Sequence, residues 1–383
     1  GGISSIGQNR KIDVWDFGGV AQEGELYANN ITAADINSWT AVGSKGLFSV
    51  TGESSFGDLT INYLANDRLY APLSAKNYGT NGFATSKYSD GYNANGMYYC
   101  NGTGGITRRF FIINNVKAGD KIVAYMASSN ASTDDLCFLY MGSDASQLDK
   151  SSFTNIACKY EFVAKYDGSY KLYTTAVGAK PIYNRIMRIP GVKVSGSVDL
   201  NGNAISGYSI SFNNETTGTE TQAQMNENSF EATLAPDYTY VAVLKGATGY
   251  GFTNDTKIIT PSLADVAVGL SGVALKVEKK ATYSYTGKIC GFSSSYDISK
   301  LSINLEADKE TLASDVPLVI NSDLTFSAVL EPDVAYTLKM SGVNDYEIVS
   351  DKTVNNNKDT ASDINVALKP KYSVSGGYLG LPS

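Results

Sequence analysis

The sequence predicts an all-β protein, in which an N-terminal jelly-roll-like β-sandwich is followed by two tandem immunoglobulin-like or transthyretin-like β-sandwich domains. Short apolar runs recur between clusters of Gly, Asn, Asp and Ser, a spacing that is typical of antiparallel sandwiches. Patterns with helical periodicity are almost absent. After residue 190 a unit of about 90 residues repeats, which is close to the size of one small sandwich.

The length and composition indicate a soluble chain with several domains. A chain of 383 residues is longer than one ordinary hydrophobic core supports, so two or three domains are expected. Charged residues make up 18% of the chain, the net charge is -7, and no apolar window is long enough to span a membrane. The N-terminal residues lack the features of a signal peptide, so any such peptide has been removed or lies outside this sequence.

The N-terminal region, residues 1–190, contains the strands of the predicted first sandwich. The run 11–19 alternates apolar and polar residues and places Trp15 in the core. Thr32 and Asp35 offer the side-chain acceptors that suit the N-terminus of one or two helical turns. Further strands are predicted at 59–63, 97–100, 109–113, 121–126 and 136–141.

The stretch 159–188 concentrates tyrosine, lysine and arginine in an otherwise acidic chain. Alternating runs at 160–164 and 170–174 flank Asp167-Gly168, a sequence typical of a hairpin turn, so we predict a β-hairpin. A third alternating run covers 182–189. Its period of two predicts that three side chains share one face: Tyr183, Arg185 and Met187.

A repeat organises the chain after residue 190. Val194-Ser195-Gly196 returns as Tyr285-Thr286-Gly287 and again as Val374-Ser375-Gly376, with spacings of 91 and 89 residues. Three units are predicted: an Ig-like repeat at 191–281, a second at 282–371 and the start of a truncated third at 372–383. The repeats contain neither Trp nor Arg, residue types that are enriched in binding surfaces, so we interpret them as spacers.

The absence of histidine excludes the commonest hydrolytic mechanisms. Ser-His-Asp and Cys-His catalysis are impossible within this chain, and its Gly-rich NGTGG segment lacks the lysine of a phosphate-binding loop. The adjacent acids Glu23 and Glu25, like Asp134 and Asp135, are interpreted as solvated turn residues rather than as a glycoside-cleaving pair. We therefore predict no enzyme activity and no catalytic residue. An arginine base of the kind used by some polysaccharide lyases stays an alternative.

The cysteines and the loop aspartates leave two alternatives open. Cys100, Cys137, Cys158 and Cys290 lack CxxC spacing, so zinc is not expected and we interpret them as buried thiols. A disulfide between Cys137 and Cys158 is the alternative. No cofactor is predicted, although aspartates on neighbouring loops suit one structural Ca²⁺. The aspartates that could take part are Asp16, Asp58, Asp67, Asp134, Asp135 and Asp144.

Aromatic and cationic side chains are the candidates for ligand binding. Sugar rings present apolar C–H faces and hydroxyls, which suit tyrosine or tryptophan rings flanked by polar groups. Arginine binds a sugar carboxylate through two parallel hydrogen bonds. The candidate ligand-binding residues are Arg108, Arg109, Lys165, Tyr166, Tyr183, Arg185, Arg188, Tyr98 and Trp39, with Tyr92 and Tyr99 in the same aromatic segment as Tyr98. For each of them, core packing or a surface ion pair is the alternative.

Three motifs occur in order along the first 200 residues: VWDFG at 14–18, KAGDK at 117–121 and YDGSYKLY at 166–173. In this order they resemble the non-catalytic N-terminal region of modular pectate lyases and related pectin-degrading enzymes of Firmicutes. The resemblance implies a secreted or cell-surface, extracellular protein whose N-terminal region binds homogalacturonan or a related acidic pectin. It also implies that the repeats space this region from further domains of the same polypeptide.

A second hypothesis is a structural or adhesive stalk segment of a bacterial surface protein, without glycan affinity of its own. Under both hypotheses we expect a monomer that binds no nucleic acid and has no membrane span. The polysaccharide, the catalytic domain of the parent protein and the mode of anchoring are not specified by the sequence.

Overall fold

The computed structural model describes residues 10–39, 42–130, 134–143, 146–175 and 180–371. Within these ranges nearly all regular structure is β-strand, which confirms the predicted all-β class. The described helices are at most five residues long, and none is long and apolar enough to cross a membrane. The predicted start of a third repeat, 372–383, lies outside the described residues.

The N-terminal region contains thirteen of the described strands and two short α-helices. The strands are β1 (Ile12–Asp16), β2 (Tyr27–Asn29), β3 (Gly52–Phe56), β4 (Leu59–Tyr63), β5 (Leu69–Tyr70), β6 (Tyr98–Cys100), β7 (Phe111–Val116), β8 (Lys121–Ser128), β9 (Asp134–Tyr140), β10 (Ser146–Phe153), β11 (Cys158–Val163), β12 (Gly168–Thr174) and β13 (Pro181–Ile189). The helices are α1 (Ala33–Asn37) and α2 (Pro72–Ala75), with single 3₁₀ turns at Ser44–Gly46 and Asn81–Thr85. The predicted cap of α1 is confirmed, because Thr32 and Asp35 exchange side-chain-to-backbone hydrogen bonds.

These strands form two sheets that enclose one hydrophobic core. In the described residues, one sheet has seven strands in the order β11-β8-β13-β1-β2, with β6 joined to β13 and β5 to β6. The other has six strands in the order β10-β9-β12-β7-β4-β3. The shared core includes Trp15, Ile122 and Ile186 from the first sheet and Ile61, Phe138 and Leu172 from the second. The predicted N-terminal β-sandwich, with Trp15 in its core, is therefore confirmed.

Residues 160–174 do not form the predicted β-hairpin. β11 pairs with β8 in the seven-stranded sheet, whereas β12 pairs with β7 and β9 in the six-stranded sheet. The Asp167-Gly168 turn therefore carries the chain from one sheet to the other. Phe162 on β11 and Leu172 on β12 enter the shared core from its two sides, and burial of both apolar faces outweighs local strand pairing.

β13 departs from the predicted period of two at Asn184. Tyr183 pairs with Met126 and Arg185 pairs with the adjacent Tyr125, so Asn184 is the extra residue of a β-bulge. The bulge turns Tyr183 towards the core between the sheets, while Arg185 stays on the opposite face of the seven-stranded sheet. The prediction that Tyr183 and Arg185 share a face is therefore wrong.

The two repeats have the same strand order. The first contains β14 (Val192–Asp199), β15 (Ser209–Asn214), β16 (Glu220–Gln222), β17 (Gln224–Asn226), β18 (Ser229–Leu234), β19 (Tyr240–Lys245), β20 (Tyr250–Phe252), β21 (Ile258–Ile259), α3 (Asp265–Val268) and β22 (Leu270–Lys279). The second contains β23 (Tyr283–Cys290), β24 (Ser302–Ala307), a 3₁₀ turn (Lys309–Thr311), β25 (Val316–Pro317), β26 (Val319–Ile320), β27 (Thr325–Leu330), β28 (Tyr336–Ser341), β29 (Tyr346–Ile348), β30 (Thr353–Val354), β31 (Thr360–Ala361) and β32 (Ile364–Leu368). The sheets β17-β18-β14-β22-β20 and β16-β15-β19-β21 of the first correspond to β26-β27-β23-β32-β29 and β25-β24-β28-β30 of the second.

Contacts between residues group the described chain into two compact units. One unit comprises the described residues of 10–196, 231–239 and 260–273, and the other comprises those of 197–230, 240–259 and 274–371. The domain boundaries after residues 190, 281 and 371 stay predictions drawn from the sequence repeat.

Arg188 on β13 connects the two sheets of the N-terminal sandwich. Its Nη2 donates to Asp13 Oδ2 on β1 (2.5 Å) and to Asp58 Oδ2 in the β3–β4 turn (2.6 Å), and its Nη1 donates to the Asn114 carbonyl on β7 (2.5 Å). Burial raises the pKa of Asp58, but hydrogen bonds from Arg188 and Asn115 outweigh it, so this pKa lies below its ordinary value of 3.8. The guanidinium therefore keeps the Asp58 carboxylate ionised.

The substitution Arg188→Met is expected to lower the free energy of unfolding of the N-terminal sandwich by about 3 kcal/mol, because two carboxylates lose their buried counter-charge. The control Lys165→Met removes an exposed cation and should change this free energy by less than about 0.5 kcal/mol. Urea unfolding followed by the fluorescence of Trp15 and Trp39, the two tryptophans of the chain, measures both variants. Equal stability of the two variants would contradict the role given to Arg188.

Candidate functional site

Tyr98 and Tyr183 lie inside the core of the N-terminal sandwich. Each is only 3% exposed. The ring of Tyr98 contacts Phe17 and Phe111, and the ring of Tyr183 lies edge-on to Phe111 with centroids 4.8 Å apart. Burial raises the pKa of both phenols well above the ordinary value of 10.0. Their predicted contact with a ligand is therefore wrong, because a sugar does not reach rings that are enclosed between two sheets.

Arg109, Arg185 and Arg188 are buried in ion pairs, with side chains between 2% and 6% exposed. Arg109 forms a bidentate pair with Asp67, at 2.9 Å from Nε and 2.6 Å from Nη2. Arg185 Nε donates to Asp16 Oδ2 at 2.8 Å. A guanidinium is stable away from water only when carboxylates and carbonyls satisfy its donors. The prediction that these three arginines bind a sugar carboxylate is therefore wrong, because their guanidinium groups are buried in pairs with protein carboxylates.

The other four predicted residues lie at three places on the sandwich. Arg108 is exposed in the loop between β6 and β7, and Lys165 and Tyr166 are exposed in the loop between β11 and β12. Trp39 is half-buried and packs against two phenylalanine rings, with centroids 5.4 and 5.8 Å away. The nine predicted residues therefore do not form one exposed patch. For these four, ligand binding stays a prediction.

A groove of about 580 Å³ lies on the face of the seven-stranded sheet that points away from the core. The strand registers place one row of side chains across β11, β8, β13 and β1: Lys159, Tyr125, Arg185 and Asp16. Because side chains alternate along each strand, the next row on this face is Glu161, Val123, Met187 and Val14. Of these eight residues, all but Asp16 and Val14 line the groove.

The segment 87–93 covers part of this face and is anchored there by Tyr92. The Tyr92 hydroxyl donates to Asp16 Oδ2 (2.6 Å), and the centre of its ring lies 3.9 Å from the guanidinium carbon of Arg185. Burial, with the neighbouring charge of Asp16, raises the pKa of Tyr92 above its ordinary value. The phenol therefore stays protonated and remains a donor.

Asp90 holds the tip of the same segment against the sheet. Its Oδ2 accepts a hydrogen bond from the Tyr125 hydroxyl (2.8 Å) and lies 3.4 Å from Lys159 Nζ. Burial raises the pKa of Asp90, but hydrogen bonds from the Tyr92 N–H and the Tyr125 hydroxyl, together with the charge of Lys159, outweigh it. The pKa of Asp90 consequently lies below 3.8, and the residue is an ionised acceptor at neutral pH.

The groove combines an apolar floor with polar and aromatic edges. Val123, Met187 and Ile189 form the floor. Tyr27, half-buried on the edge strand β2, contributes an aromatic ring, and Gln22 contributes an amide to the lining. Apolar surface next to acceptors and a tyrosine ring suits a polyhydroxylated ligand such as a sugar chain.

The described residues contain no cluster of three or more acidic or cysteine side chains that would hold a metal ion. Of the candidate calcium ligands, Asp16, Asp58 and Asp67 bind arginines, Asp134 and Asp135 begin β9, and Asp144 lies outside the described residues. All four cysteines are described and no disulfide joins them. The alternative Cys137–Cys158 bridge is absent, because Cys137 is buried in the six-stranded sheet while Cys158 is exposed at the start of β11 in the other sheet.

Several groove residues were not among the sequence candidates: Tyr27, Asp90, Tyr125, Lys159 and Glu161. The alternation of Lys159 and Glu161 on β11 marks the outward face of that strand. Tyr125 lies in the apolar run 121–126, a pattern that is typical of a core strand. No neighbouring residue in the sequence indicates that the Tyr125 side chain lies on the face away from the core. Tyr27 and Asp90 reach the groove only through the packing of β2 and the segment 87–93 against the sheet.

The substitution Asp90→Asn is expected to lower the free energy of unfolding at pH 7 by about 1 kcal/mol, a value reduced by partial solvent exposure. Because the pKa of Asp90 is depressed by folding, its carboxylate stabilises the fold above pH 3.8, and this contribution is lost as the pH falls below that value. The difference between wild type and variant should therefore shrink on acidification. Urea unfolding at pH 7 and pH 3 measures it, with the exposed Asp237→Asn as a control. A difference that is independent of pH would contradict the role given to Asp90.

No protein-family model matches the sequence, and no curated protein matches it. Among solved structures, the chain is similar to a minor pilin of Streptococcus agalactiae, with 10% identity and a TM-score of 0.22 over 48% of this chain and 99% of the pilin. It is also similar to the N-terminal tandem CBM22 domain of a Paenibacillus barcinonensis protein, with 10% identity and a TM-score of 0.23 over 77% and 85% of the two chains. The pilus backbone of Streptococcus pneumoniae matches with 10% identity and a TM-score of 0.16 over 71% and 92%. At these identities and TM-scores, the similarities do not indicate the family or the function of this chain.

Proposed function

We propose that this chain is the non-catalytic carbohydrate-binding region of a secreted or cell-surface modular protein. In this proposal the groove on the seven-stranded sheet binds a glycan, and the two repeats separate the groove from further domains of the same polypeptide. The all-β fold and the absence of histidine from the chain are compatible with a binding role.

The observation that supports the proposal most is the construction of the groove. Its polar edges are positioned before any ligand arrives, because the phenols of Tyr92 and Tyr125 hold the segment 87–93 to the sheet. Its floor is apolar and Tyr27 lies at its edge. A site whose groups are already ordered loses less conformational entropy on binding. A sugar chain would place C–H faces on the floor and on the Tyr27 ring, and its hydroxyls at the acceptors.

Pectic polysaccharide, the ligand that the sequence resemblance implies, has weaker support. Its carboxylates would require exposed cations, and the three arginines expected for this task are buried in ion pairs. Arg108 and Lys165 are exposed but lie in separate loops. Pectins should therefore be tested alongside other polysaccharides as possible ligands.

The second candidate function is a stalk segment without glycan affinity. It is favoured by the two repeats, which share one strand order and contain neither Trp nor Arg. Tandem units of this kind extend a chain and need no ligand. The two functions differ in whether the full chain binds any polysaccharide.

Affinity gel electrophoresis of the full chain, in gels containing soluble glucans, xylans, mannans, galactans and pectins, tests the proposal. Retardation is expected on at least one polymer. The substitution Tyr27→Ala should weaken that interaction about tenfold, because the ring at the groove edge is lost. The matched control Tyr208→Ala removes a half-buried tyrosine of the first repeat that is not in the groove and should bind as wild type. No retardation on any polymer would favour the stalk.

A further inference from the structure

We infer that the groove accepts uncharged glycans and excludes glycans whose sugars carry carboxylates. This inference rests on the proposed function and names the ligand class of the same site. The observation that supports it is the set of charged side chains that line the groove. The cationic residues are Lys121, Lys159 and Arg185, and the acidic residues are Asp90, Glu161 and Asp237.

Arg185 is not accessible to a ligand carboxylate. Its Nε donates to Asp16 (2.8 Å), its Nη1 to Gln22 Oε1 (3.3 Å) and its Nη2 to the Val20 carbonyl (3.1 Å). The ring of Tyr92 covers the guanidinium, and the side chain is only 2% exposed. Burial, the Tyr92 ring and these three hydrogen bonds therefore keep the guanidinium from binding a sugar carboxylate in the bidentate geometry.

The two lysines of the groove are also engaged. Lys121 is 4% exposed, and its Nζ lies 3.7 Å from Glu161 Oε1 and 3.4 Å from the Pro236 carbonyl. The ring of Tyr238 lies 5.4 Å from the same ammonium. Lys159 Nζ lies 3.4 Å from Asp90 Oδ2. An acidic sugar would have to compete with a protein carboxylate for each of these cations.

The acids, by contrast, remain accessible from the groove. The side chains of Asp90 and Glu161 are each about a third exposed, and Asp237 is exposed at the rim. Carboxylates accept hydrogen bonds from sugar hydroxyls and repel sugar carboxylates. The charge of the whole chain, -7, adds to this repulsion at low ionic strength. An uncharged sugar chain satisfies the accessible acceptors without opposing their charge.

The test measures affinity for pairs of polymers that differ only in carboxylate charge. Homogalacturonans of graded methyl esterification form one series, since esterification removes the charge and keeps the backbone. For any uncharged polymer that binds, its derivative oxidised at the primary hydroxyls to carboxylates forms a second pair. We expect at least tenfold tighter binding to the uncharged member of each pair that binds. Equal or tighter binding to the carboxylated member would overturn the inference and leave the proposed function standing. Absence of binding throughout refutes the proposed function itself.

The substitution Asp237→Asn separates charge repulsion from shape. Asp237 has a positive φ of 63°, a conformation that asparagine also tolerates, so the backbone is expected to be retained. The variant should bind the carboxylated polymer about threefold more tightly and the uncharged polymer as wild type. An equal change for both polymers, or no change for the carboxylated one, would contradict the electrostatic origin of the exclusion.

Discussion

The ion pair between Asp16 and Arg185 is the interaction on which the candidate site depends. Both side chains are almost fully buried, and a buried pair is stable only when its remaining donors and acceptors are satisfied. The backbone N–H groups of Gly18 and Val20 and the hydroxyl of Tyr92 therefore converge on Asp16. This requirement brings the residues after β1 and the segment 87–93 onto the outer face of the seven-stranded sheet. The groove is the space that remains beside them.

Ion pairing within the protein also determines which groups of the groove are available to a ligand. Arginines were expected to be among the groups that hold an acidic glycan, yet three of them order the protein itself in the folded chain. Arg188 joins the two sheets, Arg109 holds Asp67, and Arg185 supports the groove wall. The groups that remain accessible in the groove are mainly acceptors, an aromatic ring and apolar side chains. An arginine that is exposed can bind an anionic ligand, whereas a buried arginine stabilises the fold through ion pairs. The burial of the side chain distinguishes these two roles.

The sequence predicted the all-β class, the core position of Trp15 and the cap of α1, because alternation and capping are local patterns. It did not predict that β11 and β12 belong to different sheets, since an Asp-Gly turn between alternating runs is equally compatible with a hairpin. The bulge at Asn184 reversed the face of Tyr183, and no local pattern marks such an insertion. The groove is assembled from residues far apart in the chain, so its members are apparent only once strand registers are known.

Whether the groove binds a glycan is tested most directly by a structure of the full chain with an oligosaccharide, prepared from whichever polymer retards the chain in the gel. We expect a sugar ring in the groove, in contact with the Tyr27 ring and within hydrogen-bond distance of Asp90 or Glu161. A sugar bound elsewhere, for example at the loop of Lys165 and Tyr166, with the groove empty, would contradict it.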